Sequence, residues 1–199
     1  MDLGPGASGS MLEEADVLLS HGADLVCLRS APAQVTPTAE LLAAVADLAG
    51  RVAVPIGVEA GAPVGVDAIQ AGASLVHCAG EPPGELAETA AEYGAALVVA
   101  GCTGEIAQSS PIAQLPTRGL AGESIVLEAP TLNALRRLAP LGEPVQFSVL
   151  EVPTTAQQRE TGLAEVAAAI TAGCRLIRTR DVAGARRTAA VLAAVMEAR

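Results

Sequence analysis

The sequence predicts an α/β fold, a compact (β/α)₈ barrel in which parallel strands alternate with helices. Three observations predict it. Short apolar runs alternate with Ala/Leu-rich helical stretches along most of the 199 residues. Those runs are continuously apolar, as parallel strands buried on both faces should be. A glycine follows most of the helical stretches, where a left-handed C-cap is expected. Strands alternating with helices imply βαβ crossovers and one parallel sheet.

The elements follow in order. A helix over Met11–His21 leads through Gly22 into a strand at Leu25–Leu28. A helix over Thr38–Ala49 leads through Gly50 into a strand at Val54–Val58. Val64–Ala71 reads as a helix before Gly72 and the strand Ser74–Cys78, and Pro83–Tyr93 as a helix before Gly94 and the strand Ala96–Ala100. Then come a strand at Ile125–Leu127, a helix at Leu132–Leu138 and a strand at Val145–Leu150. The last unit is a helix over Gly162–Thr171, Gly173, a strand at Arg175–Arg178 and a final helix over Ala183–Ala198. An eighth strand falls on the stub Met1–Leu3, a truncated first strand. Without it, the other units equally fit an open doubly wound sheet. Gly101–Gly122 is rich in Gly, Ser, Pro and Thr without helical period, so the fifth βα unit is reduced. A chain near the lower size limit for a barrel needs such economies. No linker or repeat divides it, and residues 1–199 read as a single domain.

Composition narrows the function classes. The formal charge is −10, from 12 cationic side chains, all arginine, against 22 acids. Such a balance argues against a nucleic-acid partner held by phosphate contacts. With no lysine, the chain has no Schiff-base, P-loop or general-base lysine. Tyr93 and Phe147 are the only aromatic residues, too few for base-stacking platforms. The 51% of hydrophobic residues rule out a disordered chain. No apolar run reaches the ~18 residues of a membrane span, and the start MDLGPGASGSM lacks the basic region of a secretory signal. Cys27, Cys78, Cys102 and Cys174 show no C-x-x-C spacing, and three fall in apolar runs. They read as reduced, buried thiols of a cytoplasmic protein.

In barrels and open parallel sheets alike, ligands bind beyond the carboxyl ends of the strands. The residues there include Asp2, Arg29, Glu59, His77, Cys102, Glu128, Glu151, Arg178, Arg180 and Asp181. Glu59 and Glu128 are candidates for ligand binding or paired acid/base work; otherwise they are solvated or cap the next helix. His77 and Cys78 are adjacent on a strand, point to opposite faces and do not share a metal. Arg178 and Arg180 share a face by period two and suit a phosphate or carboxylate clamp; the alternative is a bridge to Asp181 or Glu151. Asp2 is a candidate metal ligand. His21 falls at a helix end on the opposite face, and Arg186-Arg187 on a solvated helix face.

These units resemble the dihydropteroate synthase family over almost the full length. His21-Gly22-Ala23-Asp24 before a strand is similar to E-G-A-D-I. Val54-Pro55-Ile56-Gly57-Val58-Glu59-Ala60 is similar to V-P-I-S-I-D-T, and Ala71-Gly72-Ala73-Ser74-Leu75-Val76-His77-Cys78 to A-G-A-D-L-I-N-D. Ala91–Val99 resembles the segment before the family's M-H. Ile125-Val126-Leu127-Glu128-Ala129-Pro130 resembles I-I-L-D-P-G, and Ile177–Val182 resembles V-R-V-H-D-V. The resemblance implies a pterin-binding barrel of folate biosynthesis, a transferase joining a pterin pyrophosphate to an arylamine, magnesium if that activity is retained, and a homodimer through the last helices. Val191, Leu192 and Val195 would serve that interface, or else pack on the chain's own barrel. Related barrels bind pterins for methyl transfer, a further alternative.

The departures fall on the positions that carry the family's function. N-x-T-P-D-S-F stands as Asp2–Ser8, and S-T-R-P is compressed into Ser30-Ala31-Pro32 without its arginine. The pterin-contacting aspartates stand as Glu59 and Glu128, the asparagine as His77, the lysine of S-R-K as Val152, and the last histidine as Arg180. Expelling pyrophosphate requires several preorganised cations, and losing one such contact commonly costs about 10²–10³ in rate. The expectation is therefore a degenerate homologue that binds a pterin-like or anionic ligand through Glu59, His77, Glu128, Arg178 and Arg180. It would act as a ligand-binding protein or as a partner subunit, in a homodimer or beside a full-length synthase.

Overall fold

The computed structural model describes residues 8–29, 38–100 and 120–198. Seven parallel strands form one sheet whose spatial order is the chain order. They are β1 (Val26–Arg29), β2 (Ile56–Glu59), β3 (Leu75–Ala79), β4 (Ala96–Ala100), β5 (Ile125–Ala129), β6 (Val145–Val149) and β7 (Leu176–Thr179). The described helices are α1 (Ser8–Ser20), α2 (Thr38–Arg51), α3 (Ala62–Gln70), α4 (Gly84–Tyr93), α5 (Leu132–Leu138), α6 (Ala156–Thr171) and α7 (Val182–Glu197).

The sheet is curled, and one ion pair proves it. Arg178 on β7 reaches Glu59 on β2 at 2.6 Å. In a flat sheet those strands would stand five spacings apart, about 24 Å, beyond any pair of side chains. Arg186 of α7 likewise reaches Asp24, just before β1, at 2.7 Å, and donates to the Gly22 carbonyl. Among the described residues β1 and β7 are the two edges of this half-barrel. The eight-stranded closure expected from Met1–Leu3, and the reduced unit expected over Gly101–Gly122 apart from its last residues, lie outside the described residues. The described end of that stretch enters a short 3₁₀ turn, Gly122–Ser124, before β5.

The strand period of two sorts the side chains. On the outer face, Val26, Leu28, Ile56 and Val58 pack under α1 and α2 with Met11, Leu41, Val45 and Leu48. Val76, Cys78, Leu97, Val99, Leu127 and Phe147 pack with Leu86, Ala90, Leu135 and Leu138 of α4 and α5. On the inner face, Leu75, Val98 and Val126 form a small apolar plug with Leu25, Ala96 and Leu176. Cys78 faces outward while His77 faces inward, so the adjacent pair is split between faces as expected.

Two local features bear on the sequence reading. Gly72, between α3 and β3, has φ +109°, and a Cβ there would lie 2.7 Å from that of Ala49, so the turn requires glycine. Helix α6 begins at Ala156, not Gly162. Thr155 accepts from the Gln158 amide and Gln158 reaches back to the Thr155 amide, a capping box that recruits the polar Ala156–Thr161 into the helix. Of the apolar stripe expected on the last helix, Val191 is 63% and Val195 49% exposed, with Met196 beside them at 66%. Leu192 alone is partly buried.

Candidate functional site at the inner strand ends

The last inward position of several strands is polar. In the β1–β2 ladder Arg29 lies opposite Glu59, and in the β2–β3 ladder Glu59 lies opposite His77. Across the barrel Glu128 lies opposite Gln146, and Ser148 opposite Arg178. These groups sit above the apolar plug, where the strand twist and parallel register converge them.

The Glu59 and Glu128 carboxylates are both already engaged. The Glu59 carboxylate accepts from Arg178 Nη2 at 2.6 Å and has Arg29 Nε at 3.5 Å. Glu128 Oε1 accepts from Ser148 Oγ at 2.8 Å and, more weakly, from Gln146 Nε2 at 3.4 Å. Neither carboxylate caps a helix or stands free in solvent.

Arg178 has only 10% of its side chain exposed. Burial works against its charge, but the carboxylates of Glu59 and Glu128 offset this and hold its pKa above the usual arginine value. Its Nε and the Nδ1 of His77 are buried polar atoms without hydrogen-bond partners. Such orphans are rare, and each asks for an explanation. Burial first, and the Arg178 charge second, push the His77 pKa down to about 4, against the opposing pull of Glu59. At pH 7 His77 is therefore a neutral imidazole, a hydrogen-bonding group and not a proton donor of the imidazolium kind.

A cavity of about 440 Å³ opens between the β1 and β7 edges; its lining includes Cys27, His77, Gln146 and Arg178 together with Asp24, Arg175, Thr179 and Arg186, but neither Glu59 nor Glu128. A second, of about 520 Å³, lies beyond β6 and is lined by Ser148, Glu151, Arg159 and Asp181 among others. The first holds both orphaned groups and is the better candidate for a ligand.

The remaining sequence candidates are placed as follows. Strand β7 ends at Thr179, so Arg180 lies in a bend beyond it, and its charge acts on Glu14 of α1. Asp181 accepts from Arg159 at 2.7 Å and caps α7 through the Gly184 amide. It is therefore not the partner of Arg178. Asp2 and Cys102 lie outside the described residues. Among the described residues no three His, Cys, Asp or Glu side chains converge as a metal site. His21 lies in the turn after α1, at the end of the sheet away from the site. Gln146 and Ser148 escaped the sequence reading. Their signal was the period of two along Val145–Leu150, which brings both to the face of Glu128.

Comparison with known proteins separates fold from sequence. No family model matches the chain, and no curated protein matches it. Solved structures do. Yersinia pestis dihydropteroate synthase with a pterin–sulfa conjugate superposes with a TM-score of 0.81 at 20% identity, covering 96% of this chain and 90% of that one. The Xanthomonas albilineans synthase in complex with 7,8-dihydropteroate gives 0.81 at 19% identity, covering 98% and 88%. The fold is that of the dihydropteroate synthases. Mycobacterium tuberculosis Rv1207 also superposes, with a TM-score of 0.74 at 26% identity, covering 94% and 87%. The dihydropteroate synthase fold thus spans most of this chain. Among the described residues no helix is long and apolar enough to cross a membrane.

Proposed function

We propose that this chain is a dihydropteroate synthase-like protein of the folate pathway that binds a pterin-like ligand among Glu59, His77, Glu128 and Arg178 without efficient synthase turnover. The observation that carries the reading is the commitment of Glu59 to Arg178 across the barrel at 2.6 Å. A carboxylate and a cation that neutralise one another offer less net field to a departing pyrophosphate than free cations do. The absence of lysine from the whole chain points the same way. Two of the similar synthase structures hold a pterin–sulfa conjugate and 7,8-dihydropteroate, and the paired N–H donors of a pterin edge suit a carboxylate.

The protein would act alone, as a homodimer, or beside a full-length synthase. Asp2 is the residue proposed to hold magnesium if synthase activity is retained, and no step is assigned to a metal.

A turnover assay tests the reading. The purified chain is given 6-hydroxymethyl-7,8-dihydropterin pyrophosphate and an arylamine, and pyrophosphate release is followed. The expected rate is at least about 10²–10³ below the ordinary enzyme range of 1–10³ s⁻¹. Turnover within that range would show an active transferase with a rearranged site.

A further inference from the structure

We infer that Ser148 is a positioning residue, with Gln146 as a weaker second: together they hold the Glu128 carboxylate by Oε1 and leave Oε2 to meet the ligand. The inference rests on the pterin reading above, in which Glu128 is a ligand group and neither neighbour has a role.

The parallel register builds the hold. Glu128 of β5 stands opposite Gln146 of β6, and Ser148 follows Gln146 by two residues on the same inward face. Ser148 Oγ donates to Glu128 Oε1 at 2.8 Å, and Gln146 Nε2 donates to the same oxygen at 3.4 Å. An ionised carboxylate only accepts, so the hydroxyl is the donor, and such charge-assisted bonds are the strong ones. Among the described residues none donates to Oε2. Gln146 is buried while Glu128 is half-buried, so the hold is anchored on the buried side and the other oxygen stays open.

Glu59 and Glu128 are held by different chemistry. Glu59 faces the guanidinium groups of Arg178 and Arg29, which neutralise it. The hydrogen bonds to Glu128 come from an uncharged hydroxyl and an uncharged amide, which fix a carboxylate without cancelling its charge. A glutamate has three side-chain torsions, and a ligand that must freeze them loses affinity to rotamer entropy. Ser148 and Gln146 freeze them before the ligand arrives, within the roughly 0.5 Å that a preorganised site requires.

The experiment is a double-mutant cycle on the full chain: wild type, Ser148→Ala, Glu128→Ala and the double variant. Each is titrated calorimetrically with 6-hydroxymethyl-7,8-dihydropterin pyrophosphate, and each is melted without ligand. Ser148→Ala should bind the ester about 5-fold more weakly than wild type. The double variant should stay within about 2-fold of Glu128→Ala, because Ser148 acts only through Glu128. A merely structural contribution of Ser148 would persist in the Glu128→Ala background. In the melts, Ser148→Ala should lower the melting temperature by at least about 2 °C in the wild-type chain and by less than about 1 °C in the Glu128→Ala chain. Unchanged ester affinity in Ser148→Ala when the wild type binds, or an equal loss with and without Glu128 in either measurement, overturns the inference. Heat on no chain, with the melting temperatures still coupled, overturns the pterin reading and leaves the hold on Glu128 standing. Heat on no chain and uncoupled melting temperatures overturn both.

Discussion

His77 gives a prediction that can be worked through in numbers. It is 5% exposed, its Nδ1 has no partner, and its pKa is pushed down to about 4 from an unfolded value of 6.5. Between those values the unfolded chain binds a proton at this site that the folded chain does not. Unfolding is then favoured by acid, so stability rises with pH through the window and is complete above pH 6.5. The drop from 6.5 to about 4 corresponds to about 3 kcal/mol lost as pH falls to 4. At pH 5 the linkage relation gives about 2 kcal/mol. Carboxylates titrate over part of the same range, so the measurement is a difference. Urea unfolding of wild type and His77→Gln is followed at pH 7.5, 6 and 5, and each free energy is extrapolated to water. The wild type should lose about 2 kcal/mol more than His77→Gln between pH 7.5 and pH 5. A constant difference across that range would mean that His77 is not a buried neutral imidazole, and the site geometry would be wrong at its centre.

Other expectations follow from single contacts. Ser148→Ala removes the shorter of the two hydrogen bonds to Glu128 and should cost about 1–2 kcal/mol in chemical denaturation. Thr155→Ala removes the cap of α6; about 1 kcal/mol is expected, seen as a fall of roughly 2–4 °C in melting temperature. Burial pushes the thiols of Cys78 and Cys174 up to about 11. Their alkylation at pH 8, read site by site by mass spectrometry, should run about 100-fold slower than that of a free cysteine; rapid labelling would show that the outer core opens.

The fold was legible because its signals are local and repeated. Apolar runs mark β2 to β7, and the glycines after helices mark the turns into them. Gly72 illustrates the logic, since only glycine adopts its φ without meeting Ala49. The start of α6 was obscured because Ala156–Thr161 is polar, and its first turn depends on the Thr155–Gln158 box and not on periodicity. The site was half legible. Glu59, His77, Glu128 and Arg178 stood out as polar residues at the ends of apolar strands. Their pairing did not, because the Arg178–Glu59 contact joins residues 119 apart in sequence and exists only because the sheet curls. The period-two argument placed Arg178 and Arg180 on one strand face, but the strand stops at Thr179. The sequence places Glu128 beyond a strand ending at Leu127, as a ligand-binding or acid/base residue, whereas β5 continues to Ala129 and pairs it with Gln146.

The central claim is that the inner strand ends still form a ligand pocket. Calorimetric titration of the full chain with 6-hydroxymethyl-7,8-dihydropterin pyrophosphate, with and without magnesium, tests it most directly. The account predicts micromolar binding that weakens at least about tenfold in Glu128→Ala, where the carboxylate held by Ser148 and Gln146 is gone. No heat under either condition would contradict it.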